Sequence, residues 1–332
     1  MTSDTATRKK LGALDRLQPV ILLSAIGIGL LTADRMPDLA PRLGWLVSAG
    51  VFAVIYLVML GVRERDILQA FRRRKPTAIA LILNFLFTPA LAWGLGYVFL
   101  RGNPDIWVGL ILYLVTPCIG WYLVFTDLAE GDVELGVSLL FWNVALQILL
   151  LPVYLWFLAG QIVAVEIDII ARSIGLFLIL PYALAWVTRQ AWTSLHAGAA
   201  SIGDALPLSP LKTAALMIVI AAMFASQGSV LFENPSVIWW MIAPGLVFFA
   251  VIFLVAISVS RTAGLSYPET ALLVFTTAAR NSEVSLAVAV TAFTSPLIAL
   301  TVVIGPAIEL PVLIIFVSCL KWMRARGLIG TN

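Results

Sequence analysis

Residues 110–125 read LILYLVTPCIGWYLVF, and residues 272–290 read LLVFTTAARNSEVSLAVAV. Each stretch lies inside a long apolar run, and each is interrupted by groups that hydrocarbon rejects. In the first, Pro117 removes a backbone donor and crowds the turn before it, with Cys118 and Gly120 close behind. In the second, Arg280, Asn281, Ser282 and Glu283 form an unbroken polar run that a lipid-facing helix rarely carries. A broken helix leaves N–H and C=O groups unpaired, which is tolerated at membrane depth only where protein or a water-filled cavity covers them. Its half-helix ends carry partial charges able to hold an ion or a polar solute.

The composition places these runs in a membrane. Of 332 residues, 61% are hydrophobic and 12% charged, where a soluble domain has about 25% charged residues. So little charge cannot cover a globule of this size, which excludes a soluble enzyme, a secreted domain and a nucleic-acid reader. Crossing about 30 Å of hydrocarbon takes roughly 20 helical residues. Apolar runs of that length fall at about 17–33, 43–61, 76–99, 106–126 and 135–159, then at about 168–187, 210–228, 237–259, 268–292 and 296–320. They are continuous rather than alternating, so they predict helices and not barrel strands.

Ten spans put both termini on one side. With the termini inside, 16 Lys and Arg residues fall inside, among them the cluster Arg72, Arg73, Arg74 and Lys75. Only Arg35, Arg42, Arg101 and Arg172 fall outside, and Arg280 lies within a span. This bias predicts a multi-pass protein of the cell inner membrane with cytoplasmic termini. The expected organisation is a tail over 1–16, a first five-helix half over 17–159, a loop over 160–167, a second half over 168–320 and a tail over 321–332. The two interrupted segments are the fourth helix of each half, the pattern of an inverted-repeat transporter. The lone histidine, His196, falls in a loop.

Other polar groups also enter the spans. Asn143 and Gln147 stand four apart on one face of segment five. Asn84 and Pro89 interrupt segment three, and Glu309 lies between Pro306 and Pro311 in segment ten. Glu309 either supports a kinked backbone or lies in a proton path. Arg280 and Glu283 are three apart and share a face if that stretch is helical. Glu283 then pairs with Arg280, carries a transported proton, or contacts substrate. Arg280 is a fixed positive charge that either binds an anionic substrate or stands in for a mobile cation. The Cys118 thiol is a soft ligand suited to soft metal or metalloid species, and a single cysteine makes the transient contact a carrier needs. Cys319, near the end of segment ten, is assigned to packing.

The stretches IGPAIELPVLIIFVSCLKWMR (304–324) and TPCIGWYLVFTDLAEGD (116–132) resemble the Acr3-type arsenical-resistance permeases, within the bile acid:sodium symporter superfamily. Asn143 with Gln147 is similar to a polar pair in the fifth helix of some members. The resemblance implies an all-α fold of ten helices in two inverted five-helix repeats. Helices one, two, six and seven would form a panel, the others a core, with broken helices four and nine crossing. It also implies export of arsenite, in some members antimonite, driven by protons, with a required cysteine at the position of Cys118. The family's helix-nine Glu aligns with Ser285 or Val284, and its proton role is carried to the nearest carboxylate, Glu283. The sodium-coupled branch has oxygen ligands where this chain has Tyr122, Leu123, Gly136 and Leu140, so Na⁺ coupling is not expected. Arg280 departs from the Acr3 pattern, which has a small neutral residue there.

These readings give a secondary transporter, not an enzyme, with no cofactor, exchanging arsenite for protons. The arsenic contact is Cys118; Asn281, Ser282, Asn143 and Arg280 line the substrate site; Glu283 and Glu309 serve proton coupling; Pro117 and Gly120 break the helix. The alternative is an organic-anion transporter of the same superfamily that binds its anion through Arg280. No Gly-rich phosphate loop is present to power an ATP-driven pump, although a separate soluble arsenic-handling partner is compatible with the chain.

Overall fold

Helices make up nearly all of the described chain, as backbone surrounded by lipid requires. The computed structural model describes residues 13–60, 73–118, 121–162, 175–195, 202–206 and 208–329. The main helices are α1 (Ala13–Arg35), α2 (Gly44–Leu60), α3 (Arg74–Phe99), α4 (Pro104–Leu114), α5 (Trp121–Leu128) and α6 (Val133–Ala159). They continue with α7 (175–195), α8 (Leu208–Glu233), α9 (Ser236–Thr262), α10 (Tyr267–Ala278), α11 (Ser282–Ala292) and α12 (Pro296–Ala325). Among the described residues, four helices, α3, α6, α9 and α12, are long and apolar enough to cross a membrane. The protein is an all-α, multi-pass membrane protein. Large apolar side chains such as Leu86, Trp156, Phe157, Trp239 and Leu254 face outward, where lipid rather than water is the solvent.

Local sequence fixes the helix starts. Asp132 caps α6 by accepting the Leu135 N–H at 3.0 Å. Ser266 opens α10 with a capping box, its N–H donating to Glu269 at 2.9 Å. Pro104 and Pro296 stand at the first turns of α4 and α12, where a missing N–H is harmless. Inside α12, Pro306 and Pro311 do not end the helix.

Both expected interruptions are present. α4 stops at Leu114 and α5 starts at Trp121; α10 stops at Ala278 and α11 starts at Ser282. α4 has 11 residues and α10 has 12, about 16–18 Å of helix each, or roughly half of a hydrocarbon core. Every residue of α4 from Ile106 to Leu114 is buried, as is α10 from Thr270 to Ala278. These half-helices are therefore enclosed by protein on all sides.

The helices group by packing. α1 and α2 pack on α8, and α2 also on α7. A second group forms around α12, which packs on α4, α9 and α11, while α10 packs on α5 and α9. α4 approaches α12 closely because Gly109 faces Thr301: a Cβ on Gly109 would stand 2.5 Å from the Thr301 Cβ. At one end of the molecule, Arg73 pairs with Asp132, and Arg324 pairs with Glu130 at 2.7 Å. Arg261 donates to the Leu328 carbonyl at 2.6 Å. The connections after α5 and α9, the start of α3 and the end of α12 thus lie together.

Several expectations fall outside the described residues: the first twelve residues, Arg63, Arg65, Arg72, Arg172, His196, Gly120, most of the 160–167 loop and the side chain of Glu283.

Candidate functional site at the crossing of two interrupted helices

The two breaks meet. Pro117 and Arg280 form an isolated antiparallel bridge. The Cys118 N–H donates to the Ala279 carbonyl at 3.1 Å, and the Asn281 N–H to the Thr116 carbonyl at 2.8 Å. Each interruption supplies hydrogen-bond partners that the other lost by leaving its helix, so two extended segments persist in a buried interior. Pro117 disfavours helix at the residue before it, which helps to end α4. No proline breaks α10. There Ala279 adopts φ −72°, ψ 134°, and the bridge to the first break holds the strand-like turn. Arg280 is therefore not on a helix, and it does not share a helical face with Glu283, which is the second residue of α11.

Two helix N-termini leave the crossing, and they are capped alike. The Cys118 Sγ accepts the Trp121 N–H at 3.2 Å, and Asn281 Oδ1 accepts the Val284 N–H at 3.1 Å. In both, the side chain accepts an N–H three residues on; Asn281 directly precedes α11, and Cys118 precedes the first described residue of α5 by three. Helix N-termini favour negative charge and electron-rich atoms, and a sulfur lies at one of them. Cys118 is 2% exposed. The Nδ2 of Asn281 is buried with no hydrogen-bond partner among the described residues, an arrangement that needs a reason in a folded protein. Ser282 is buried beside it.

Two helix C-termini enter the crossing, and Arg280 serves both. Its Nη1 donates to the Leu114 carbonyl at the end of α4, at 2.9 Å. Its Nε donates to the Ala278 carbonyl at 3.3 Å and its Nη2 to the Thr277 carbonyl, both at the end of α10. Nη2 also donates to Asn84 Oδ1 at 3.2 Å. Asn84 occupies a π-turn, Leu83–Phe87, that aims its side chain inward. The network continues as Asn84 Nδ2 donates to Asn143 Oδ1 at 3.3 Å and Asn143 Nδ2 to the Thr276 hydroxyl at 3.2 Å. Asn143 is thus held by protein on both ends of its amide. Gln147, one turn on, is buried with its Oε1 unpartnered among the described residues.

Glu309 braces the crossing from α12. It accepts the Tyr113 hydroxyl from α4 and, at 3.2 Å, the backbone N–H of Arg280. The sequence left Glu309 either supporting a kinked backbone or in a proton path; its carboxylate fastens both interrupted helices to α12, which packs across the break.

Sequence reasoning missed the hydroxyls that complete the junction. Thr116 Oγ1 donates to the Asn281 carbonyl at 3.1 Å and shares a 2.6 Å hydrogen bond with Ser285. Ser285 also donates to the Leu112 carbonyl at 2.9 Å. The available signal was position: both hydroxyls flank a polar break directly. Among the described residues no cluster of three His, Cys, Asp or Glu side chains is arranged to hold a metal ion.

Known proteins share this chain's pattern. The profile of the Sodium Bile acid symporter family matches residues 48–234. The Arsenical-resistance protein Acr3 of Corynebacterium glutamicum is 26% identical over 349 aligned positions, covering 98% of this chain and 94% of that protein. An uncharacterized transporter of Synechocystis is 26% identical, over 89% of this chain and 85% of its own. The Arsenical-resistance protein Acr3 of Alkaliphilus metalliredigens is 21% identical, over 93% of each chain.

Proposed function

Because the chain belongs to the Sodium Bile acid symporter family and is a polytopic membrane transporter, not an enzyme, we propose that it exports arsenite, and with it antimonite, in exchange for protons. The observation that carries this reading is the buried Cys118 sulfur at the N-terminus of α5, within the helix crossing. A thiol is the soft donor that trivalent arsenic prefers, and neutral As(OH)₃ presents hydroxyls for polar neighbours. Asn281 Nδ2, unpartnered among the described residues, and the Ser282 hydroxyl supply hydrogen bonds to them. Asn143 sets the polar wall behind, and Glu283, at the start of α11, takes up and releases the counter-transported proton. Glu309 holds the crossing while protons move.

In this reading the ten sequence spans form two inverted five-helix repeats in the inner membrane, with both termini cytoplasmic. The group α1, α2, α7 and α8 is the panel, and the group around α12 is the core that moves against it. The contacts within each group favour that division. Against the organic-anion alternative, all three guanidinium nitrogens of Arg280 already donate to protein oxygens, which supports the arsenite reading.

The test is arsenite uptake into everted membrane vesicles under a proton gradient. Wild type is expected to accumulate arsenite, and Cys118→Ala to lose roughly tenfold or more of that flux, equivalent to at least about 1.4 kcal/mol of substrate interaction. Glu283→Gln is expected to retain arsenite exchange between two pools while losing the response to the gradient. Absence of arsenite flux in wild-type vesicles refutes the proposal.

A further inference from the structure

We infer that Arg280 is a resident cation, a guanidinium fixed where the C-terminal ends of two half-helices converge, so that this crossing admits no metal cation and the transport cycle does not depend on one there. The last carbonyls of a helix lack intrahelical partners and carry about half a negative charge. α4 and α10 bring two such ends to one buried place. In transporters built from discontinuous helices, such C-terminal ends and unwound carbonyls are where a mobile Na⁺ or proton is held.

Here the place is filled from within the chain. The guanidinium takes Leu114 from α4 at 2.9 Å, Ala278 at 3.3 Å and Thr277 from α10, and Asn84 Oδ1 from α3 at 3.2 Å. The Phe248 ring of α9 covers it, 5.5 Å from the guanidinium carbon to the ring centroid. The side chain is 1% exposed, among the largest fully buried groups in the protein. Four oxygens from three helices around one positive group form the ligand shell of a cation. Asn84 is oriented for that role by its π-turn and by its bond to Asn143. Arg280 cannot leave as a bound ion can, so the crossing keeps its charge through every conformation. The driving ion must therefore act elsewhere. The inference rests on the transporter reading but not on arsenite as the substrate.

Thermal unfolding of the purified, detergent-solubilised protein tests it without any transport assay. At constant ionic strength, wild type is expected to unfold at the same temperature in Na⁺, K⁺ and choline chloride. Arg280→Ala is expected to lose about 5–10 °C of Tm, since it leaves converging carbonyls without a positive partner. It should then regain stability saturably on adding about 10 mM guanidinium chloride or Na⁺, because either now binds the vacated shell. Choline, too large for the shell, should restore nothing. Should Arg280→Ala fail to fold, Arg280→Lys and the neutral Arg280→Met replace it, the lysine variant being the more stable and indifferent to Na⁺. Saturable stabilisation of the wild type by Na⁺ overturns the inference, and so does an Arg280→Ala protein as stable as wild type and unresponsive to small cations. Loss of the arsenite reading alone, through absent flux, leaves these outcomes unchanged.

Discussion

Glu309 shows how one carboxylate joins three helices. Its oxygens accept the Tyr113 hydroxyl and the Arg280 N–H, two donors from two different interrupted helices. Removing it leaves both buried donors without an acceptor and takes a negative charge away from beside the buried Arg280. Glu309→Ala should cost about 3–5 kcal/mol, read as a fall in Tm of about 6 °C or more. Glu309→Gln keeps a carbonyl for the Arg280 N–H and an amide for the Tyr113 oxygen, so it should lose visibly less. Equal losses in the two variants contradict the bracing role. At this scale the sequence was informative for charged and thiol groups. Arg280, Glu309 and Cys118 stand out wherever they fall in an apolar run. Hydroxyls do not, because in a membrane helix they return their proton to a carbonyl three or four residues back. Thr277 and Thr126 do this, whereas Thr116 and Ser285 also reach across the junction, and nothing in their residue type distinguishes the two cases.

The interrupted helices were legible at the scale of the element, but the cause of the second break was not. Pro117 marks the first break directly. The second has no helix breaker; Ala279 to Asn281 are held extended by hydrogen bonds to Thr116 and Cys118, more than 160 residues away in sequence. A long-range pairing of this kind leaves no local pattern. The close approach of α4 to α12 is similarly silent in hydropathy, yet it depends on one missing side chain. Gly109→Leu would drive carbon into the Thr301 Cβ at 2.5 Å and the Ile298 carbonyl at 2.9 Å. Such overpacking costs about 1–3 kcal/mol, and the shift it forces in α4 displaces Cys118 at the far end, so both Tm and arsenite flux should fall. Gly94→Leu is the control, as a Cβ there meets nothing within 4 Å, and it should leave both nearly unchanged. Equal effects at the two positions refute this packing account.

For the whole molecule, hydropathy gave the membrane class and the order of the runs, because lipid leaves the backbone few choices. The end-to-end arrangement is also visible in charge: Arg73, Asp132, Glu269, Glu130 and Arg324 meet at one end, where the bias of basic residues predicts the cytoplasmic face. What the sequence did not reveal is that the crossing has two electrical sides. Arg280 neutralises the helix C-termini, while Cys118 and Asn281 cap the N-termini. In the proposed function, that division puts the substrate on the thiol side.

The measurement that bears on it most directly is the alkylation rate of Cys118 in a Cys319→Ser protein, where it is the sole thiol, with a membrane-permeant maleimide. Arsenite at saturating concentration is expected to slow this reaction at least about tenfold and sulfate to leave it unchanged. An alkylation rate unaffected by arsenite, in vesicles that still transport it, would place the substrate away from the crossing.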